Sequence, residues 1–194
     1  MGTVKSYLYH QGSGNPSAYL ALTDDIIIDI KVTAQECILA NSMVTMADGT
    51  QKALGDIKVG DKVLSYDWDT MTLVENEVIY ASGEDSLKDW SAVRYFRRTF
   101  SDGTVIENTF AHKFYNVEQQ AFVHLDYWKI GDKIFKDDGT TPTLISVEII
   151  YEDCIFGRIT LANGTNYFAN GMLTGDSGCP SGITLEQLRS ALNK

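Results

Sequence analysis

Three side chains in this sequence are of types that could do chemistry. They are Cys37, in Glu36-Cys37-Ile38-Leu39-Ala40-Asn41-Ser42-Met43, and Thr109 and His112, in Thr109-Phe110-Ala111-His112. A thiolate is a strong nucleophile, and an imidazole that titrates near neutrality can hand a proton to a leaving nitrogen. Taken singly, Cys37 reads as a small buried hydrophobe and His112 as a structural histidine. His10 and His124 stand in no motif and keep that plainer reading.

The whole chain sets the limits for this chemistry. Its 194 residues carry 16 Lys plus Arg against 26 Asp plus Glu, a net charge of −10, and 44% of residues are hydrophobic. That is the balance of a globular protein with a real core. The acidic excess argues against a nucleic-acid groove, and the one basic cluster is Arg94, Arg97 and Arg98. No apolar run approaches the roughly 20 residues of a membrane span, and no basic stretch followed by a long apolar one marks a secretory signal. Cys37, Cys154 and Cys179 are odd in number and lack metal-ligand spacing, so neither a disulfide scaffold nor a zinc site is expected. The expectation is no metal, no cofactor, no membrane partner and a reduced, cytosolic setting.

Strands must position the reactive groups. Alternating or β-branched runs cover residues 4–9, 19–22, 26–32, 62–66, 77–81, 93–100, 105–110, 113–117, 144–151 and 156–161. Turn pairs such as Asp48-Gly49, Asp102-Gly103, Asp138-Gly139 and Asn163-Gly164 separate them. The pattern predicts an all-β fold, with a β-strand arm at the N-terminus and a short helix at the C-terminus. That helix is announced by Leu185, Leu188 and Leu192 on one face, and Thr184 with Gln187 forms a capping-box pair.

An internal repeat refines this. Lys58-Val59-Gly60-Asp61-Lys62-Val63-Leu64 returns as Lys129-Ile130-Gly131-Asp132-Lys133-Ile134-Phe135, an offset of 71 residues from 58 to 129. Two similar turns would suffice to explain it. A duplicated β-subdomain about a pseudo-twofold axis explains it better.

The Cys37 stretch with its Ala47-Asp48-Gly49-Thr50 turn, the Thr109-x-x-His112 stretch, and Asn166-Tyr167-Phe168-Ala169-Asn170-Gly171 occur in that order around the repeat. Together they resemble the Hint family, the shared fold of inteins, bacterial intein-like domains and hedgehog autoprocessing domains. The resemblance covers residues 37–176 and implies a pseudo-twofold Hint β-fold. It also implies roles. Cys37 would attack the Glu36 carbonyl and turn that peptide bond into a thioester, His112 would protonate the Cys37 nitrogen, and Thr109 would help hold the scissile bond.

The resemblance breaks at the C-terminal junction. Inteins usually end in His-Asn before Ser, Thr or Cys; here Gly175 and Asp176 take the first two positions and Ser177 the third. An Asp lacks the side-chain nitrogen with which Asn cyclises, and it is ionised near pH 7. Cys154 lies four residues before Arg158, the family's usual Asp or Cys position. Full splicing is therefore expected to be poor or absent. The stretch from Ser82 to Thr104 is too short for an inserted homing endonuclease.

The chain is thus expected to divide into an N-terminal β arm, 1–36, a Hint domain, 37–176, and a linker with a helix, 177–194. The tail also resembles short elements of bacteriophage tail and fibre proteins. One reading is an intein-like structural component of a phage particle. It would have lost or attenuated splicing and would contact other protein subunits through 1–36 and 181–194, in host cytoplasm and then in the virion. The alternative is an active, single-turnover autoprocessing domain cleaving or splicing at Glu36-Cys37. A Cys37–Cys179 disulfide would silence the nucleophile in either.

Overall fold

The computed structural model describes residues 17–21, 27–31, 37–82, 91–92, 95–109, 112–152, 154–164, 166–175 and 178–193. The chain divides into two compact units, Met1–Gln35 and Glu36–Lys194. In the first, β1 (Ser17–Ala21) and β2 (Ile27–Lys31) form an antiparallel pair with Tyr19 opposite Asp29. The expected strand over 4–9 lies outside the described residues.

The second unit is built from short strands, in keeping with the all-β expectation. In chain order they are β3 (Ile38–Leu39), β4 (Met43–Thr45), β5 (Gln51–Ala53), β6 (Lys62–Asp67), β7 (Thr72–Ala81) and β8 (Ser91–Ala92). Then follow β9 (Tyr95–Phe100), β10 (Val105–Asn108), β11 (Lys113–Asn116), β12 (Ala121–His124) and β13 (Leu144–Ile150). The series ends with β14 (Cys154–Gly157), β15 (Ile159–Leu161), β16 (Asn166–Ala169), β17 (Met172–Gly175) and the helix α1 (Leu185–Leu192). One sheet runs β13-β9-β10-β3-β14-β8, a second runs β12-β11-β17-β16-β4-β5, and a third runs β15-β7-β6. The run expected as one strand over 156–161 breaks at Arg158, because β14 and β15 belong to different sheets. Ser82 marks the crossing: its amide donates to the Arg158 carbonyl and its hydroxyl accepts from the Arg158 amide.

The repeat is structural as well as sequential. A single 3-10 turn, Leu54–Asp56, precedes the first copy and another, Leu125–Tyr127, precedes the second. The Asp61 carboxylate accepts from the Lys58 amide at 2.8 Å, and the Asp132 carboxylate accepts from the Lys129 amide at 2.9 Å. Gly60 and Gly131 both adopt positive φ, +90° and +104°, where a Cβ would be strained. The Asp-Gly-Thr turns at 48–50, 102–104 and 138–140 also share one design. In each, the Asp carboxylate accepts from both the amide and the hydroxyl of the Thr.

Two large apolar cores hold the unit together. One gathers Ile38, Val44, Ile57, Val63, Val78, Phe100, Ile106, Phe114, Ile134 and Tyr167. The other gathers Tyr66, Tyr115, Phe135, Phe168 and Leu173 with Leu188 and Ala191 of α1. The tail expected as a docking arm is therefore seated on the domain through its own apolar face. Tyr66 donates its hydroxyl to the Leu188 carbonyl at 3.0 Å, Arg189 Nε donates to the Gly139 carbonyl at 2.9 Å, and the Gly182 amide donates to the Gln120 carbonyl at 2.8 Å. The Thr184–Gln187 capping box is formed as expected. Among the described residues no helix is long and apolar enough to cross a membrane.

Candidate autoprocessing site

Cys37 immediately precedes β3 and is 1% exposed. It packs with Leu39, Tyr95 and Phe156, and Cys154 lies against the same cluster. Its backbone is held by Thr109, the residue that follows β10. The Cys37 amide donates to the Thr109 hydroxyl at 3.2 Å, and that hydroxyl donates to the Cys37 carbonyl at 3.2 Å. The Thr109 amide donates to the same carbonyl at 3.0 Å. Both peptide groups of Cys37 are thus fixed by one residue, 72 positions away in sequence. This continues the β3–β10 pairing, in which Asn108 stands opposite Ile38.

His112 is 6% exposed and leads into β11. Its Nε2 meets the Thr174 hydroxyl at 2.7 Å, and that hydroxyl donates to the Lys113 carbonyl at 2.8 Å. A hydroxyl has one hydrogen to give. With that hydrogen directed at Lys113, Nε2 is the donor to Thr174. The other ring nitrogen, Nδ1, is buried. Phe114 lies beside the ring, with centroids 5.2 Å apart. Tyr167 belongs to the same region: burial pushes its hydroxyl well above the usual tyrosine range, and the Cys37 sulfur adds to the effect.

The structure joins Cys37 with Thr109, and His112 with Thr174; residues 110–111 between the pairs are outside the described set. Glu36, Asp176 and Ser177 are also outside it. Thr174 was legible in the sequence only as a place in the junction motif, and nothing there marks it as the partner of His112.

The junction itself has a defined geometry up to Gly175. β17 is an inner strand, paired with both β11 and β16, and Gly175 lies opposite Lys113 on one side and Asn166 on the other. A Cβ built on Gly175 would lie 2.5 Å from Cys179 Sγ and 2.8 Å from the Phe122 ring. No side chain, and certainly no imidazole, fits there while those two groups stay in place. Cys37, Cys154 and Cys179 are thiols, and Cys37 and Cys179 occupy different surroundings. Taken together, the arrangement can hold a nucleophilic cysteine and its peptide, but it fills the space that a C-terminal histidine would need.

Comparisons with known proteins bear on the family and the fold. The sequence model described as "Pretoxin HINT domain" matches residues 43–179. Curated protein sequences give no match. Among solved structures, a bacterial intein-like domain from Clostridium thermocellum is similar, with a TM-score of 0.61 and 23% identity over 73% of this chain and 99% of that one. A DnaB intein from Synechocystis sp. PCC 6803 gives 0.59 and 15%, over 73% and 98%. The gp41-1 intein gives 0.56 and 21%, over 72% and 98%.

Proposed function

Because the chain belongs to the pretoxin Hint domain family, we propose that it is a single-turnover self-processing domain confined to its N-terminal junction. The grip of Thr109 on both peptide groups of Cys37 carries this reading. The thiolate of Cys37 attacks the Glu36 carbonyl carbon and forms a C–S bond. The resulting tetrahedral centre collapses when the nitrogen of Cys37 takes a proton from His112, and the C–N bond breaks. The product is a thioester from Glu36 to the Cys37 sulfur and an amine on Cys37. A small thiol or water then takes the acyl group and releases residues 1–36.

The bond from the Cys37 amide to Thr109 fixes the direction of that N–H before reaction, so the nitrogen's developing lone pair has one place to go. The second half of splicing has no support of this kind. Gly175 cannot carry the assisting imidazole, and Asp176 has no nitrogen with which to cyclise. Departure of everything beyond 176 would also strip Leu188 and Ala191 from a core they help to form.

A place in a phage particle would rest on the tail stretch and on the occurrence of intein-like domains in phages, and the apolar face of that stretch is already used within the domain. The deciding experiment is intact mass over time with and without dithiothreitol, in the parent chain and in Cys37→Ala. Thiol-dependent loss of residues 1–36 in the parent only is expected. Identical masses in both would end this reading.

A further inference from the structure

We propose that Arg98 and Asn108 are positioning residues for the Cys37 peptide, acting through Thr109. This rests on the reading of Cys37 given above.

A charge lies buried in the sheet. Arg98 lies mid-strand in β9 and is 2% exposed, whereas its neighbour Arg97 turns outward and pairs with Glu107. Burying a guanidinium is costly unless its donors are met. Arg98 Nη2 reaches the Asp126 carboxylate at 3.3 Å, and Nη1 donates to the Asn108 side-chain oxygen. Nε is buried with no hydrogen-bond partner among the described residues. The guanidinium therefore forgoes one bond to keep the two at its tips.

The Asn108 amide is then fully determined. Arginine offers only donors, so the group facing it is the amide oxygen, and the amide nitrogen must point the other way. There Nδ2 donates to the Thr109 carbonyl. Asn108 is 0% exposed and stands opposite Ile38, the residue after Cys37. A continuous chain results: Asp126, Arg98, Asn108, Thr109, Cys37. Each link orients the next, and the last is the set of three hydrogen bonds between Thr109 and Cys37.

A purely stabilising pair would not need this geometry. Buried ion pairs add little net stability against apolar replacements of similar size. What an apolar replacement could not supply is the orientation of one amide against the Thr109 carbonyl.

Asn108→Asp separates the two roles. The carboxylate keeps a partner for Arg98 but has no N–H for Thr109. Amide hydrogen exchange is read by NMR at Cys37 and Thr109, with the β6 and β7 amides as the internal reference, alongside the melting temperature and the rate of thiol-induced release of residues 1–36. In Asn108→Asp, exchange at Cys37 and Thr109 is expected to accelerate roughly tenfold while the reference amides hold and release slows in parallel. Asn108→Ser, which also lacks the amide, is the second variant should the first lose its fold. Unchanged exchange at Cys37 and Thr109 in a folded variant overturns the proposal. Absence of thiol-dependent release in the parent chain overturns the reading of Cys37 instead, and the exchange rates still decide the positioning.

Discussion

Cys179 Sγ stands where a side chain on Gly175 would be, 2.5 Å from the position of its Cβ. A thiol and the Phe122 ring close over Gly175, the position at which the family resemblance would put an assisting histidine. This is a packed arrangement, so a substitution that restores the family pattern must first displace it.

Gly175→His with Asp176→Asn is accordingly expected to cost stability without producing C-terminal cleavage. Overpacking in a close-packed region typically costs about 1–3 kcal/mol, and a strain-free fit is excluded here by Cys179 Sγ and the Phe122 ring. Urea denaturation gives the loss, and intact mass gives the cleavage. Efficient scission after residue 176 in that double variant would show that the glycine is incidental.

Thr109 is expected to matter through its hydroxyl. Thr109→Val keeps the shape but leaves the Cys37 amide without its acceptor, an omission worth about 1–3 kcal/mol for a buried group. Thiol-induced release should therefore slow by one to two orders of magnitude, and Thr109→Ser should recover most of the rate. Equal rates for Val and Ser would remove Thr109 from the mechanism.

Leu188 is a core residue of the domain despite lying beyond the expected boundary. It is 0% exposed, and a buried Leu→Ala change costs about 2–5 kcal/mol. Equilibrium unfolding of Leu188→Ala should show that loss in the single transition of the domain. A loss confined to fraying of α1, with the main transition unmoved, would mean the helix is only peripheral.

Asp137 gives a pH signature. Burial holds its carboxyl above the ordinary carboxylate value of 3.8, with the Thr45 hydroxyl at 2.9 Å pulling the other way. The folded state then binds more protons than the unfolded state between the unfolded value and the raised one. Its contribution to stability falls as pH rises through that window. Asp137→Asn removes the titration, so the parent should lose stability relative to the variant as pH rises from about 4. Chemical denaturation of both proteins across pH 4–7 checks this; a pH-independent difference would refute it.

Much of this was visible in the sequence, for local reasons. The Asp-Gly-Thr turns declare themselves because a carboxylate two residues before a Thr can bond both its amide and its hydroxyl, and Gly49, Gly103 and Gly139 take the positive φ between them. The repeat around Gly60 and Gly131 was readable for the same reason. The Cys37–Thr109 pairing is what the family resemblance implies, and the structure supplies the contacts. Arg98 was not readable. In sequence it is one of three nearby arginines on an acidic protein, and only the register Ile106 opposite Arg98, two residues from Asn108, turns it inward. The strands Asn166–Ala169 and Met172–Gly175 were also missed, because strands buried on both faces lose the alternation that marks a half-exposed one. The seating of α1 depends on Tyr66 and Phe168, which are remote in sequence, so its apolar face showed that it docks without showing where.

The boundary between the two compact units falls after Gln35, and the bond that Cys37 would break follows Glu36. The incision and the architectural seam are one residue apart. Among the described residues, β1 pairs with β2 on one side of that bond, and the other strand pairings lie on the far side of it. On the proposed reading the cut bond lies after β2 and before β3, outside every described strand, so the covalent event would break a connection and not a strand.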